Sequence, residues 1–119
     1  YLCFSHSGTT NTQNSTVKIA KEVEDRGAGE ILITSIDRDG TMQGYDIKLI
    51  EQVAGCVNIP VIASGGAGSY EDMELALKNG GASAVAAASI FHFTEQTPEE
   101  AKKYLSKKGY AVRLPFVET

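Results

Sequence analysis

Short apolar runs alternate with amphipathic segments along the chain. Two of the runs, Ile31–Ile33 and Val61–Ala63, are continuously apolar, which is typical of parallel strands that are covered on both faces. The run Ala84–Ala88 favours a helix by its alanine content alone. It follows the glycine pair Gly80-Gly81 and precedes another helical pattern, however, and this position favours a strand. The pattern therefore predicts four strands, over Tyr1–Ser5, Ile31–Ile36, Pro60–Ala63 and Ala84–Ala88.

Amphipathic spacing predicts a helix after each of these strands. Ser69, followed three residues later by Asp72, forms an acidic variant of the capping box at the start of the third helix. Thr97 as N-cap, Pro98 in the first turn and Glu100 at the reciprocal cap position mark the start of the fourth. The helices are expected near Ser15–Arg26, near Asp46–Ala54, from Ser69 to Gly80, and from Thr97 to Gly109.

This alternation of strands and helices predicts an α/β fold whose parallel strands are joined by right-handed crossovers. Four such (βα) units make half of a TIM-type (βα)8 barrel, which has eight strands. Residues 1–119 are therefore expected to form a single half-barrel domain. This half is expected to be either a fragment of a longer protein or one member of a self-associating pair.

Composition and charge exclude several classes of function. The chain has 42% hydrophobic and 22% charged residues, as ordinary globular proteins do, and a formal net charge of −4. Its longest basic clusters are pairs such as Lys102–Lys103, so we expect no surface for nucleic acids or anionic membranes. No apolar run approaches the roughly 18 residues that span a bilayer. Cys3 and Cys56 lie far apart, which favours reduced thiols in a cytoplasmic protein.

Small residues, many of them glycine or serine, follow three of the four predicted strands. In β/α barrels the active site lies at these carboxyl ends, and adjacent strands commonly build one phosphate site from their loops. A phosphate requires backbone N–H groups that it can approach without an intervening Cβ, together with hydroxyl donors. A tight turn alone would explain Gly65-Gly66, but Ala88-Ser89 one strand later favours a phosphate site. The runs are Ser7-Gly8, Ser64-Gly65-Gly66-Ala67-Gly68 and Ala88-Ser89.

Two carboxylates, Asp37 and Asp39, follow the second predicted strand on either side of Arg38. A turn alone would explain them. The functional interpretation is that one carboxylate faces the pocket as a general acid/base or hydroxyl-orienting group. Strand alternation would let both point the same way, and Arg38 is expected to form a salt bridge outside the pocket. His6 and His92 are not expected to be catalytic, and the sequence holds no metal-ligand or dinucleotide motif, so no cofactor is expected.

Five stretches of the sequence together carry a family resemblance. They closely resemble the cyclase subunit of imidazole glycerol phosphate synthase, a β/α-barrel family of histidine biosynthesis. The resemblance runs from about Ser7 to Arg113, and the sister isomerase of the same pathway resembles this chain less well. The stretches are Gly27-Ala28-Gly29-Glu30, Ser35-Ile36-Asp37-Arg38-Asp39-Gly40-Thr41, Gly44-Tyr45-Asp46, Ile62-Ala63-Ser64-Gly65-Gly66-Ala67-Gly68 and Ala87-Ala88-Ser89-Ile90-Phe91-His92-Phe93.

The resemblance implies an enzyme that binds a substrate with a phosphate at each end. It implies that ammonia from a glutaminase partner closes an imidazole ring and releases an aminoimidazole carboxamide nucleotide. By residue-wise match, Asp39 is the catalytic residue in this chain, Thr34 lines the pocket, and Glu30 belongs to the charged ring through which ammonia enters. The residues that would bind one substrate phosphate, or lie near it, are Gly40, Ser64, Gly65, Gly66, Ala88 and Ser89, and the loop beyond the family's fifth strand matches Ser7, Gly8 and Asn11.

The resemblance also implies what this sequence lacks. The family's two essential acid/base aspartates lie on its first and fifth strands, and neither has a counterpart here. Two alternatives to a cyclase half therefore stay open. One is a non-catalytic half-barrel that binds phosphate ligands and self-associates, as a homodimer or with a complementing half, since two sets of four strands make eight. The other is a cyclase-like protein of sugar amidation in surface polysaccharide synthesis, where a run similar to Gly80–Ser83 also occurs.

Overall fold

The structure, a computed structural model, describes residues 2–5, 10–88, 90–91 and 94–112. Short strands alternate with helices over most of this length. The strands are β1 (Leu2–Ser5), β2 (Thr10–Ser15), β3 (Ile31–Thr34), β4 (Val61–Ser64) and β5 (Ala84–Val85). The helices are α1 (Thr16–Asp25), α2 (Ile47–Ala54), α3 (Tyr70–Lys78) and α4 (Pro98–Lys107).

A parallel sheet of three strands, in the order β3-β4-β5, organises the described part of the chain. Ile31 pairs with Val61 and Thr34 with Ser64, so β3 and β4 end level with each other. Ile62 pairs with Ala84 in the same direction. The predicted α/β class with parallel strands is therefore confirmed. Because the carboxyl ends of parallel strands meet at one edge of the sheet, the loops that follow all three strands lie side by side.

The predicted place of the first strand is wrong. β1 does not join the parallel sheet but pairs antiparallel with β2, with Phe4 opposite Asn11 and Ser5 opposite Thr10. The physical reason lies in the connection, since only residues 6–9 separate β1 from β2. A link this short can close an antiparallel pair, whereas a parallel crossover needs about a dozen residues or more. Nothing in the hydrophobic pattern indicates β2, because its six residues, Thr-Asn-Thr-Gln-Asn-Ser, are all polar.

Cap chemistry explains the helix boundaries, which agree with the predicted ones to within about two residues. The Ser15 hydroxyl accepts from the Lys18 N–H at the start of α1, and the Asp46 carboxylate accepts from the Leu49 N–H at the start of α2. At α3 the predicted capping box of Ser69 and Asp72 is confirmed with both of its hydrogen bonds. These caps satisfy N–H groups that would otherwise have no partner in the first helical turn.

The start of α4 differs from the prediction in one detail. The Thr97 hydroxyl accepts from the Glu100 N–H as expected, at 3.1 Å. The Thr97 N–H, however, donates to the Tyr70 hydroxyl at 3.2 Å, and this hydroxyl in turn donates to the Glu100 carboxylate at 3.0 Å. The reciprocal half of the cap therefore runs through a tyrosine of α3, which ties the two helices together.

One face of β3 is covered and the other is exposed. Within the strand, Ile33 is buried and Leu32 is 60% exposed, and just beyond its end Ser35 is buried and Ile36 is 49% exposed. The expectation that this strand is covered on both faces is therefore wrong for the described residues, because all the helices that pack on it lie on one side. The covered face joins a cluster that includes Ala20, Leu49, Val53 and Val61, and a second cluster around Tyr45, Ala63, Met73 and Ile90 lies under α3 and α4.

None of the helices in the described ranges is both long enough and apolar enough to cross a membrane. In those same ranges no group of three or more His, Cys, Asp or Glu side chains is arranged to hold a metal ion. The Cys56 thiol is free and donates to the Val53 carbonyl at 3.2 Å. Cys3 lies within β1.

Candidate functional site

The loops that follow β3, β4 and β5 enclose a small cavity at the carboxyl edge of the sheet. Its volume is about 130 Å³, several times the space that one water molecule needs. Most of its lining is glycine or alanine, so backbone atoms form much of its wall. The lining residues are Asp39, Gly40, Met42, Ser64, Gly65, Gly66, Ala67, Ala86, Ala87 and Ala88.

Six of the residues that the sequence singled out therefore line one cavity: Asp39, Gly40, Ser64, Gly65, Gly66 and Ala88. Thr34 pairs with Ser64 at the end of β3 and is exposed, but it does not line this cavity. Glu30 is exposed and precedes β3, at the end of the strand opposite to the cavity. Ser7, Gly8 and Ser89 lie outside the described residues, as do His6 and His92.

Four cavity residues were given no role by the sequence reasoning, although Ala67 belongs to the small-residue run after the third predicted strand: Met42, Ala67, Ala86 and Ala87. None has a side chain with evident chemistry. The signal that could have indicated them is their position, since each stands within two residues of a residue that was singled out.

The paired glycines are required by loop packing. Gly65 and Gly66 have φ values of +91° and +115°, which L side chains rarely adopt. A Cβ on Gly66 would lie 2.1 Å from the Gly44 carbonyl oxygen, and a Cβ on Gly68 would lie 1.9 Å from that of Met42. From the sequence alone, glycine was expected at these positions because an anion must approach the backbone closely. The structure gives a second cause, the close approach of the preceding loop.

Hydrogen bonds hold these two loops together. The Gly44 N–H donates to the Gly66 carbonyl at 2.7 Å, and the Ser35 N–H donates to the Ser64 carbonyl at 3.2 Å. The Arg38 guanidinium donates to the Gly44 carbonyl at 3.5 Å. Among the described residues Arg38 thus contacts a carbonyl oxygen rather than a carboxylate, and its predicted salt bridge is not formed there.

Several backbone N–H groups at the cavity are available to a ligand. In the part of the chain that the structure describes, the N–H groups of Gly40, Gly65, Gly66, Ala87 and Ala88 donate to no protein acceptor. Unpaired backbone donors grouped in a concave loop are the usual means of binding an anion. The arrangement can therefore hold an anionic oxygen cluster without a cationic side chain.

The first turn of α3 is already capped by its own side chains. The Asp72 carboxylate accepts from the N–H groups of Gly68 and Ser69, at 3.0 and 3.1 Å, and the Ser69 hydroxyl accepts from the Asp72 N–H at 3.2 Å. The available donors of this loop, the N–H groups of Gly65 and Gly66, therefore precede the helix, in the turn that immediately follows β4.

Among the described residues that line the cavity, Asp39 alone carries a charged side chain. β3 ends at Thr34, two residues before its predicted end, and the next residues turn, with the Asp39 N–H donating to the Ser35 carbonyl at 2.9 Å. Because these residues form a turn, strand alternation does not apply to them. Asp37 is exposed and does not line the cavity, so of the two carboxylates considered from the sequence only Asp39 lies at the cavity.

Tyr45 is a buried residue of the loop after β3 that the sequence reasoning did not single out for function. It is only 3% exposed, and its hydroxyl donates to the Ala86 carbonyl at 2.8 Å. Burial, together with the nearby negative charge of Asp72, raises the pKa of this hydroxyl well above its ordinary value of about 10. The group therefore stays a neutral donor at physiological pH.

A larger cavity of about 520 Å³ lies between β5, α3 and α4. Its described lining is mainly apolar and includes Leu77, Phe91 and Leu105, with Lys102 as the one charged residue in that part of the chain. A mainly apolar wall provides few hydrogen-bond donors for an anion, whereas the unpaired backbone N–H groups lie at the smaller cavity.

Comparison with known proteins identifies the family of this chain. The family described as "Histidine biosynthesis protein" matches residues 2–97. Similar proteins include subunits named imidazole glycerol phosphate synthase subunit HisF. That of Hyphomonas neptunium is 57% identical over 110 residues, covering 92% of this chain and 44% of the relative. Those of Chlorobaculum parvum and Natranaerobius thermophilus are 51% and 54% identical over 114 residues, covering 96% of this chain and 45% of each relative.

The chain thus spans a little under half the length of these curated relatives. Its parallel (βα) units agree with half of an eightfold β/α barrel, the fold that the sequence predicts. The family match covers the β3, β4 and β5 strands and every residue that lines the smaller cavity. The chain belongs to the histidine biosynthesis protein family.

Proposed function

We propose that this chain is the C-terminal half-barrel, residues 1–119, of an imidazole glycerol phosphate synthase cyclase, and that it binds one phosphate of the substrate. The observation that best supports this proposal is the small cavity, whose wall is largely backbone from the loops after three adjacent strands. The names of the similar subunits support the choice of reaction. In the complete enzyme, a bisphosphorylated aminoimidazole carboxamide ribonucleotide would undergo ring closure with ammonia.

The chemistry of the cavity favours a phosphate held by dipoles. The free N–H groups of Gly65 and Gly66 precede α3, and those of Ala87 and Ala88 follow β5. Hydrogen bonds from neutral N–H groups to an anion are short and about twice as strong as neutral ones. We assign Ser64 and Ser89 as the hydroxyl donors of the same site.

Asp39 would have a separate role. A carboxylate repels a phosphate, so its place in the lining fits a contact with another part of the substrate. We propose that Asp39 acts as an acid/base or hydroxyl-orienting group toward the carbon skeleton that leads away from the phosphate. Thr34, Ser7 and Gly8 would line the more distant part of the substrate path.

The partner proposed for the complete enzyme is a glutaminase that supplies the ammonia. Glu30 is exposed at the end of β3 opposite to the phosphate cavity. Ammonia entering at this end would travel along the sheet toward the substrate, which is the path that the family resemblance implies.

An alanine at Gly40 tests the phosphate site directly. Gly40 lines the cavity, has a φ of +83°, and has no atom within 4 Å of where its Cβ would lie. We expect Gly40→Ala to weaken the binding of inorganic phosphate about tenfold or more, because the methyl group narrows the cavity and disturbs a charge-assisted contact. Isothermal titration calorimetry of the 119-residue chain measures the change.

Gly27→Ala is the matched control for this variant. Gly27 also has a positive φ, +97°, and open space around its Cβ position, but it lies between α1 and β3 and does not line the cavity. Both alanines cause similar backbone strain, so only the cavity distinguishes them. Equal phosphate affinity in the two variants would contradict the proposed site.

A second candidate function, self-association of the half-barrel, is favoured by the uncovered face of β3. Leu32 is exposed there, and among the described strands β3 and β5 each have one unpaired edge. Such edges invite pairing with further strands. Sedimentation velocity distinguishes the candidates, since a monodisperse monomer would remove the self-assembled version. The sugar-amidation alternative rests on the Gly80–Ser83 run, whereas the similar subunits named above all carry the synthase name.

A further inference from the structure

The buried hydroxyl of Tyr45 links the loop after β3 to the end of β5. Tyr45 directly precedes Asp46, the N-cap of α2. Its hydroxyl crosses 41 positions of sequence to donate to the Ala86 carbonyl at 2.8 Å. The Ala86 N–H in turn donates to the Ala63 carbonyl at 2.7 Å, so hydrogen bonds hold both the N–H and the C=O of Ala86.

The hydrogen bond from the Tyr45 hydroxyl fixes the orientation of the Ala86–Ala87 peptide in the cavity wall. Ala86 and Ala87 both line the cavity of about 130 Å³. In a trans peptide the C=O of one residue and the N–H of the next point in nearly opposite directions. A hydroxyl that holds the Ala86 carbonyl toward the core therefore holds the Ala87 N–H away from it. Among the described residues this N–H donates to no protein acceptor.

The neighbouring contacts make the three loops one unit. Gly44 is the residue before Tyr45. Its N–H donates to the Gly66 carbonyl at 2.7 Å, and its carbonyl accepts a hydrogen bond from the Arg38 guanidinium. The tyrosine ring is packed in the cluster that contains Ala63, Ala67 and Ile90. The loop after β3 thus contacts the loop after β4 through its backbone and the end of β5 through one side chain.

We propose that Tyr45 is a positioning residue of the phosphate site, whose hydroxyl orients the Ala86–Ala87 peptide so that the Ala87 N–H points toward the phosphate. This inference rests on the proposed function, because it assigns a role at the same cavity. It adds Tyr45 to the site and gives a physical cause for the orientation of the Ala87 N–H. Tyr45 itself does not touch the anion.

Tyr45→Phe tests the inference, since it removes the hydroxyl and keeps the ring. We expect the dissociation constant for inorganic phosphate, measured on the 119-residue chain, to rise about threefold to tenfold, the range of one lost hydrogen bond. We also expect the Ala87 amide resonance, which should shift strongly with phosphate in the unchanged chain, to shift less in this variant.

Tyr70→Phe is the control for a general loss of stability. It also removes a tyrosine hydroxyl with hydrogen bonds, but these bonds join α3 to α4 at Thr97 and Glu100. Its phosphate affinity should match that of the unchanged chain. If Tyr45→Phe binds as the unchanged chain does, or if both variants weaken equally, the positioning role is wrong and the phosphate site stands. If the unchanged chain itself binds no phosphate, both proposals fail.

Discussion

Replacing Gly66 by alanine is expected to lower the free energy of unfolding by about 3 kcal/mol or more. The new Cβ would lie 2.1 Å from the Gly44 carbonyl oxygen and 3.0 Å from the Arg38 Cβ. Relief of this overlap requires the two loops to separate, which would disrupt the 2.7 Å bond from the Gly44 N–H to the Gly66 carbonyl. Overpacking of this kind costs about 1–3 kcal/mol or more, and the positive φ adds about 1–3 kcal/mol. Urea unfolding followed by circular dichroism measures the sum.

The same change at Gly27 isolates the backbone term. Gly27 has a φ of +97° and no atom within 4 Å of its Cβ position, so Gly27→Ala should cost only about 1–2 kcal/mol. The difference between the two variants then reports the contact between the loops. If Gly66→Ala proves as stable as Gly27→Ala, the loops are not packed as described. Because phosphate binding would be lost together with the loop packing, Gly40 is the better position for testing the ligand.

Ring closure by the 119-residue chain alone is expected to be undetectable, the second large effect. The family resemblance places the two acid/base aspartates on strands that this sequence does not contain. Each proton transfer of this type contributes about 10²–10⁴-fold to a rate. Loss of both should therefore reduce turnover by about 10⁴-fold or more, although residues that act as a unit are not additive. Product formation is followed by liquid chromatography, with an ammonium salt as the nitrogen source.

A complete relative, such as the synthase subunit of Chlorobaculum parvum, serves as the positive control under the same conditions. Adding a complementing N-terminal half-barrel to the chain should restore turnover if the missing strands supply the aspartates. Turnover above the buffer background by the purified chain alone would show that the two aspartates outside this sequence are not required. It would then point to Asp39 as sufficient for the chemistry.

The sequence predicts the helices and the parallel sheet well because local chemistry specifies them. Ser15, Asp46, Ser69 and Thr97 are all found as N-caps, and each accepts a backbone N–H as the cap rule requires. The glycine-rich loop after β4 could be placed at the cavity for a related reason, since strand ends in a parallel sheet share an edge.

Features that depend on distant contacts could not be predicted. Nothing in a polar six-residue segment indicates that β2 pairs with β1. The need for glycine at position 66 depends on a carbonyl 22 positions away, that of Gly44. The hydrogen bond from Tyr45 to Ala86 could not be predicted because the tyrosine resembles an ordinary core residue and its acceptor is a backbone carbonyl. The exposure of Leu32 depends on which elements cover the sheet, and an apolar run does not report this.

The most direct test of the central claim is to locate phosphate on the chain by amide NMR during a titration with inorganic phosphate. We expect saturable shifts that are largest at Gly40, Gly65, Gly66, Ala87 and Ala88, whose N–H groups have no described protein acceptor. Residues of the larger, apolar cavity, such as Leu77 and Tyr110, should be unaffected. Saturable shifts centred on that larger cavity, or none at the glycine-lined cavity, would contradict the claim that these three loops bind a phosphate.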